Sequence, residues 1–302
     1  MKKSKKILFF GNERIATATE TKALVFDYLS DNYNVCALVV SEKKFLDDLE
    51  VVKIAKTKGI EYFNYAKLKD HINEIADFGA DIAVLISYGK IIPQSIIDLF
   101  PLGIINLHPS LLPKHRGPTP IESVILSGEK DTGVSLMSLS KEMDAGPVFI
   151  QKHLALDANE DKQTLANKLD GLGLQAFTEV FDKILNSKIS ANEQNNSMAT
   201  YDNLLKKSDS IIDWSQSSED IYRRFRAYKG WPGVKTQING ISVKINSMKI
   251  SNGKGNTGEY ILEDSTLRFF TSDGSIDILE LQPDGKKVMN IKEFLNGYRS
   301  KI

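Results

Sequence analysis

Gly103-Ile-Ile-Asn-Leu-His-Pro-Ser-Leu-Leu-Pro-Lys-His-Arg-Gly117 reads as a short buried strand that stops at a proline and empties into a stiff loop. The run 104–107 is apolar except at Asn106, as a strand covered on both faces should be. Pro109 cannot continue a ladder, and Pro113, Pro118 and Pro120 stiffen the loop beyond it. Asn106 and His108 lie two apart, so both point to one side while Leu107 points into packing on the other. Outward from this stretch, 6–10, 35–40 and 82–86 are similar short apolar runs, and 24–29, 49–58 and 68–78 between them carry helical spacing. This alternation predicts an α/β fold, a Rossmann-like doubly wound, mostly parallel sheet with helices on both faces. Such sheets gather their reactive groups at the carboxyl ends of the strands.

The second half changes character. A helical pattern over 165–185 gives way to a polar stretch containing Asn192-Glu-Gln-Asn-Asn-Ser197, which reads as a linker. Beyond it, 221–227 reads as a helix and 234–238, 241–250, 260–262, 266–271 and 276–281 as strands. Asn239-Gly240 and Asp273-Gly274 are hairpin signals. Short antiparallel strands with tight turns predict a small OB-like β-barrel. The expected domains are 1–188 (catalytic), 189–205 (linker) and 206–302 (OB-like).

The 302 residues carry 41% hydrophobic and 26% charged side chains at a mean hydropathy of −0.24, so disorder is excluded. No apolar run approaches the ~18 residues that span a bilayer, and 7–10 is too short for the core of a signal peptide. One cysteine, Cys36, excludes a disulfide framework and a thiolate metal cluster, and points to the cytoplasm. It sits in an apolar run and reads as a buried structural thiol. Lys plus Arg balance Asp plus Glu at 39 each, yet 221–254 holds Arg223, Arg224, Arg226, Lys229, Lys235, Lys244, Lys249 and Lys254 and no acid. A polyanionic partner and simple solvation both fit such a stripe.

An amide beside an imidazole suits acyl transfer. Asparagine can donate to an oxyanion and imidazole can exchange a proton near neutral pH. Asp144, in Lys141-Glu-Met-Asp-Ala-Gly-Pro147, is the best group to orient that imidazole. On spacing alone a structural role for each of the three stays open, since an Asp in a turn is commonly a cap. His71, His115 and His153 read as surface or structural, His115 nearest the site. No histidine has a partner at zinc-ligand spacing, so no metal is expected. Gly11-Asn-Glu-Arg-Ile-Ala16 has one glycine where a dinucleotide fingerprint needs three.

At these residues the chain resembles the folate-dependent formyltransferases, through Asn106-Leu-His108, Ser110-Leu-Leu-Pro113 and Asp144-Ala-Gly146. The resemblance implies Asn106, His108 and Asp144 as catalytic residues. It also implies 10-formyltetrahydrofolate bound along Ser110, Leu111, Leu112 and Pro113, with Tyr88, Gly89 and Ile91 lining the pterin pocket. Ile212-Asp-Trp214, Arg226-Ala227, Trp231-Pro232 and Leu281-Gln-Pro-Asp-Gly-Lys-Lys287 are similar to the carboxy-terminal domain of members that act on methionyl-tRNA. That implies transfer of the formyl group to methionine on initiator methionyl-tRNA for translation initiation, with Arg223, Arg224, Lys286 and Lys287 on the tRNA. The expected enzyme is a metal-free cytoplasmic monomer that binds no membrane. An amino sugar nucleotide is the alternative acceptor, since enzymes of that kind share the Trp-Pro segment. Two features depart from the family. Gly11-Asn12-Glu13 replaces its Gly-Thr-Pro on the methionine side, and the short 41–48 replaces its basic loop, leaving Lys43 and Lys44 to reach the acceptor stem.

Overall fold

The computed structural model describes residues 4–41, 46–263 and 265–298. Lys43 and Lys44 lie outside the described residues. The chain forms two compact units, one of residues up to 204 without 125–128, the other of 125–128 with 205 onward.

The first unit runs β1 (Lys6–Gly11), α1 (Leu24–Asn32), β2 (Asn34–Val40), α2 (Glu50–Lys58), β3 (Tyr62–Asn64), α3 (Ile72–Asp77), β4 (Ile82–Ile86), α4 (Gln94–Ile97), β5 (Ile104–His108), α5 (Pro120–Ser127), β6 (Asp131–Ser138), β7 (Val148–Ala155) and α6 (Lys162–Leu185). The sheet order is β3-β2-β1-β4-β5-β6-β7. Strands β1 to β5 pair in parallel, and β6 and β7 add in antiparallel fashion. The chain winds outward from β1 to β3, then returns to place β4 on the other side of β1. That reversal opens a crevice at the carboxyl ends of β1 and β4, where sheets of this kind bind ligands.

Both faces of β1 are covered, which is why its sequence is continuously apolar. Phe9 meets Phe26 of α1 edge-on at 4.9 Å, while Phe10 turns the other way onto Tyr88 at 5.6 Å and Phe100 at 6.1 Å. Each such ring, fully buried, stabilises the fold by roughly 1.5–3 kcal/mol. Gly11 ends the strand at φ +126°, with the site of its missing Cβ 1.8 Å from the Ile86 carbonyl oxygen. Any side chain there would push the two crevice-forming strands apart. Helix α6 starts with a capping box between Asp161 and Thr164, a reciprocal bond pair that satisfies two orphan donors.

The second unit contains α7 (Ser218–Ala227), β8 (Val234–Ile238), β9 (Ile241–Ser251), β10 (Tyr260–Glu263), β11 (Thr266–Phe270), β12 (Ser275–Pro283), β13 (Met289–Asn290) and α8 (Ile291–Tyr298). It is a curled antiparallel half-barrel ordered β10-β11-β12-β9-β8, with β13 paired to β12. The Asn239-Gly240 turn joins β8 to β9 with Asn239 and Gly240 both at positive φ, as that dipeptide predicts. Trp214 stacks on Phe269 at 4.1 Å and donates Nε1–H to Thr236 Oγ1 at 2.9 Å, so the Ile212-Asp-Trp214 motif belongs to the core of this unit.

The polar residues from 189, expected as a linker, lie along the first unit as a strap. Asn192 exchanges two 2.8 Å backbone bonds with Val148 of β7, and Tyr201 bridges to Arg116.

Candidate active site

The crevice encloses 490 Å³. It is lined from the β1 exit by Asn12, Arg14 and Ile15, from the β4 exit by Ser87, Tyr88 and Gly89, and from β5 and its loop by Asn106, His108 and Gly117, with Asp144 opposite. Asn106 is 6% exposed, and its carboxamide has no hydrogen-bond partner among the described residues. The residue lines the cleft, so its amide can hydrogen-bond whatever the cleft holds. The Tyr88 hydroxyl is buried without a partner, and burial pushes it up to about 12.

His108 is 5% exposed. Its Nε2 lies 2.8 Å from the carbonyl oxygen of His115. A carbonyl only accepts, so Nε2 carries the proton and donates it. The other nitrogen, Nδ1, faces Asp144 Oδ2 at 3.7 Å. Asp144 itself sits in the left-handed region at φ +50°, and Oδ2 accepts a 2.8 Å bond from Gly117 N–H. Gly117 can make that approach because it carries no Cβ, whose position would fall 2.6 Å from the Asp202 carbonyl oxygen.

Behind the cleft the loop is held by buried charge. Arg116, 1% exposed, donates to Gln194 Oε1 at 2.8 Å, Asn196 Oδ1 at 2.7 Å and the Tyr201 hydroxyl at 3.0 Å. Both ring nitrogens of His115 meet carboxylates, Nδ1 at 3.2 Å from Asp202 and Nε2 at 2.8 Å from Glu129. On the β1 side, Glu13 is fully buried and accepts the N–H of Val25 at 2.6 Å and of Phe26 at 2.8 Å, capping α1 from outside the helix. Burial and the adjacent Asp170 carboxyl hold Glu13 well above the usual carboxylate range. Burial raises Asp170 as well, so the two share a proton.

The structure brings Asn106, His108, Asp144, Tyr88 and Gly89 to one cleft. Ile91 is 87% exposed and lies outside its lining. Ser110, Leu111, Leu112 and Pro113 also stand outside it. Ser110 is fully buried, its Oγ donating to Lys114 O at 2.7 Å and its carbonyl accepting from Ser135 Oγ at 2.7 Å. Leu112 is fixed to Ser135 and Gln151, and Leu111 fills the space left by Gly133. Here the Ser110 carbonyl and the Leu112 backbone are held by Ser135 of β6 and Gln151 of β7, which braces the loop from behind. Sequence patterns do not single out Arg14, His115, Gln194 or Asp202 as site residues. His115 has the one visible signal, its place within the decisive loop, whereas Gln194 and Asp202 sit in composition typical of linkers. Among the described residues no group of three or more His, Cys, Asp or Glu is placed to hold a metal.

In the second unit Lys286 and Lys287 are exposed at the turn after β12, where Gln282 Nε2 donates to Lys286 O at 2.7 Å. Arg224 stacks on Tyr228 at 5.9 Å. Arg223 pairs with Asp220 and lies 3.7 Å from Glu219, so its charge is largely neutralised by its own helix. Lys235 pairs with Asp284 at 3.1 Å, and Lys249 reaches Asp277 at 3.9 Å. The stripe that is acid-free in sequence is therefore partly compensated in space.

The family model for formyl transferase matches residues 5–181, and that for the formyl transferase C-terminal domain matches 204–299. The chain is 35% identical to methionyl-tRNA formyltransferase of Dictyoglomus thermophilum over 315 residues, covering 98% of each chain. It is 30% identical to the enzyme of the same name from Staphylococcus epidermidis, over 98% of this chain and 97% of that one. Among solved structures, HypX from Aquifex aeolicus in complex with tetrahydrofolic acid superposes with a TM-score of 0.67 at 17% identity, covering 98% of this chain and 48% of that one. The N-formyltransferase from Helicobacter canadensis, in complex with folinic acid and dTDP-3-aminofucose, gives 0.68 at 18% identity over 92% and 99%. At those identities the superpositions establish the shared fold.

Proposed function

Because the chain belongs to the methionyl-tRNA formyltransferase family, we propose that its switch-point cleft carries that family's chemistry through Asn106, His108 and Asp144. The enzyme transfers a formyl group from a folate to the α-amino group of methionine on initiator methionyl-tRNA, for translation initiation. The observation that carries the site assignment is the convergence of an unpaired Asn106 amide, His108 and Asp144 at one strand end.

When bound, 10-formyltetrahydrofolate supplies the formyl carbon. The residues present fit it: the cleft volume of 490 Å³ lies within the range of about 300–1,000 Å³ typical of small-molecule sites, and the orphaned Tyr88 hydroxyl offers a polar anchor. The methionine nitrogen bonds to the formyl carbon, the bond from that carbon to the folate nitrogen breaks, and the amine proton ends on the folate nitrogen. Asn106 donates to the oxyanion that develops, its free amide being available for that role alone. His108 serves as the proton carrier at Nδ1, since Nε2–H is committed to the His115 carbonyl. Asp144 offsets the positive charge that His108 gains. An unperturbed α-amino group titrates at about pH 7.7–8.0, so orientation matters more than a strong base.

The reading includes a cytoplasmic location, where a tRNA acceptor resides, and a monomer. Lys286, Lys287 and Arg224 are the proposed phosphate contacts. A direct test of the catalytic assignment is His108→Ala, for which turnover falls by about 10²-fold or more while binding of the folate, read by tryptophan and tyrosine fluorescence, is retained. Near-normal turnover would remove His108 from the reaction.

A further inference from the structure

Two side chains of the site stand in backbone conformations that L residues rarely adopt: His115 at φ +57° and Asp144 at φ +50°. Such a conformation persists only where surrounding structure holds it. In both cases the strap after α6 does the holding. Thr200 Oγ1 accepts the His115 N–H at 2.8 Å and Thr200 O accepts the next N–H, from Arg116, at 2.9 Å. Asp202 Oδ1 and Oδ2 each lie 3.2 Å from His115 Nδ1, and Asp202 N–H returns a 2.8 Å bond to Arg116 O. Gln194 Nε2 donates to Asp144 O at 2.8 Å and to Gly146 O at 2.7 Å, while its Oε1 accepts from buried Arg116.

We propose that Asp202 and Gln194 are positioning residues for the catalytic pair: Asp202 holds the ring of His115, the residue whose carbonyl orients the His108 ring, and Gln194 fixes the backbone that presents the Asp144 carboxylate. The inference rests on the roles assigned above to His108 and Asp144, and it makes the strap part of the active site. Its physical core is a chain of contacts from Asp202 to His115, from the His115 carbonyl to His108 Nε2 at 2.8 Å, and from His108 Nδ1 to Asp144. Both His115 nitrogens face carboxylates, so both must carry protons for both contacts to form. Without its charge partners, the residue can relax out of the left-handed region, which swings its carbonyl away from His108. The His108 ring is then free to take the tautomer protonated at Nδ1, which cannot accept the amine proton.

The charged groups around His115 are Asp202 from the strap, Glu129 from the turn before β6, and Lys114, which lies 3.7 Å from Glu129. Glu122 of α5 senses the Asp202 charge and is itself paired with buried Lys162 at 3.6 Å. Burial alone would lower His115, but the hydrogen bonds and charges of Asp202 and Glu129 outweigh it and raise the imidazole above its ordinary value. The His115 contribution is therefore complete below about pH 6.5, the unperturbed value, and is lost as pH rises through the raised folded value.

Two measurements test this. In the wild-type protein, nitrogen NMR of the histidine rings at pH 7 should find His115 doubly protonated and neutral His108 protonated at Nε2. A neutral His115, or a His108 protonated at Nδ1, overturns the proposal whatever the acceptor of the formyl group proves to be. In Asp202→Asn, kcat should fall by about tenfold to hundredfold, a size set by sub-ångström misplacement, with KM for folate and tRNA little changed and the alkaline limb of kcat moved to lower pH. Asp202→Glu should recover most of the activity. Wild-type kcat with an unmoved alkaline limb in Asp202→Asn contradicts the proposal, and so does a loss that Asp202→Glu fails to restore.

Discussion

Nδ1 of His108 lies 3.7 Å from Oδ2 of Asp144, and that same oxygen accepts the Gly117 N–H at 2.8 Å. Asp144 is thus anchored through a neutral hydrogen bond while its charge is aimed at the ring nitrogen that is free to change protonation. Two charges about 4 Å apart interact by about 4 kcal/mol at an effective dielectric of 20. Asp144→Asn keeps an acceptor for Gly117 and removes the charge. Its kcat should therefore fall by about 10²–10³-fold with a melting temperature close to wild type. A kcat within a few fold of wild type would mean that the charge does not act on His108.

The proposed role of Asn106 is confined to the transition state. Because its amide has no partner among the described residues, Asn106→Ala leaves no orphaned neighbour and should fold normally. Loss of one oxyanion donor costs about 10²–10³-fold in kcat, with folate affinity unchanged. A rise in KM at constant kcat would instead assign Asn106 to ground-state binding.

Much of this is legible in the sequence, and the exceptions have physical causes. The strands beginning at Lys6, Asn34, Ile82 and Ile104 announce themselves because burial on both faces demands unbroken apolar runs, whereas β3, three residues at the sheet edge, carries too little pattern. The β8–β9 hairpin follows from Asn239-Gly240, which supplies two positive φ angles cheaply. Asn106 and His108 share a direction through strand periodicity, so their meeting is local. The meeting of His108 with Asp144 rests on long-range pairing, and in the sequence only family resemblance carries it. The strap is unreadable for a different reason. A segment that satisfies a buried Arg116 and the backbone and ring of His115 needs Gln194, Asn196, Thr200 and Asp202, the residue types that a solvated linker also uses. The same ambiguity hides the bracing role of Ser110-Leu-Leu-Pro113, whose partners Ser135 and Gln151 arrive from later strands.

The buried Glu13–Asp170 pair makes a prediction about stability. Burial raises Asp170 to about 6, so its favourable protonated state is fully present below its unfolded value of about 4 and is lost as pH rises through about 6. Above that window Asp170 carries a charge in a dry site while Glu13, held well above the usual carboxylate range, keeps its proton. Asp170→Asn can keep a hydrogen bond to Glu13 without the charge. It should melt near wild type at pH 4, gain on wild type as pH rises through about 6, and keep that difference to pH 8. A constant difference across that range would show that Asp170 does not share a proton with Glu13.

The compensated stripe ranks the cations of the second unit. Lys286 and Lys287 are exposed and free of ion pairs among the described residues, while Arg223 is occupied by Asp220 and Glu219. Replacing both lysines by Ala should weaken tRNA binding and flatten the dependence of log K on log salt by about 0.7–0.9 per lost phosphate contact. Arg223→Ala should change the slope by less. An unchanged slope in the double lysine variant would remove this turn from the tRNA contact surface.

The central claim is that this cleft formylates the methionine of initiator methionyl-tRNA. Purified protein and 10-formyltetrahydrofolate, offered charged initiator methionyl-tRNA, charged elongator methionyl-tRNA and an amino sugar nucleotide side by side, test it in one assay. Formyl transfer should go to the initiator tRNA, with little to the elongator and none to the sugar nucleotide. Transfer to the sugar nucleotide alone would leave Asn106, His108 and Asp144 standing as catalysts and contradict the acceptor.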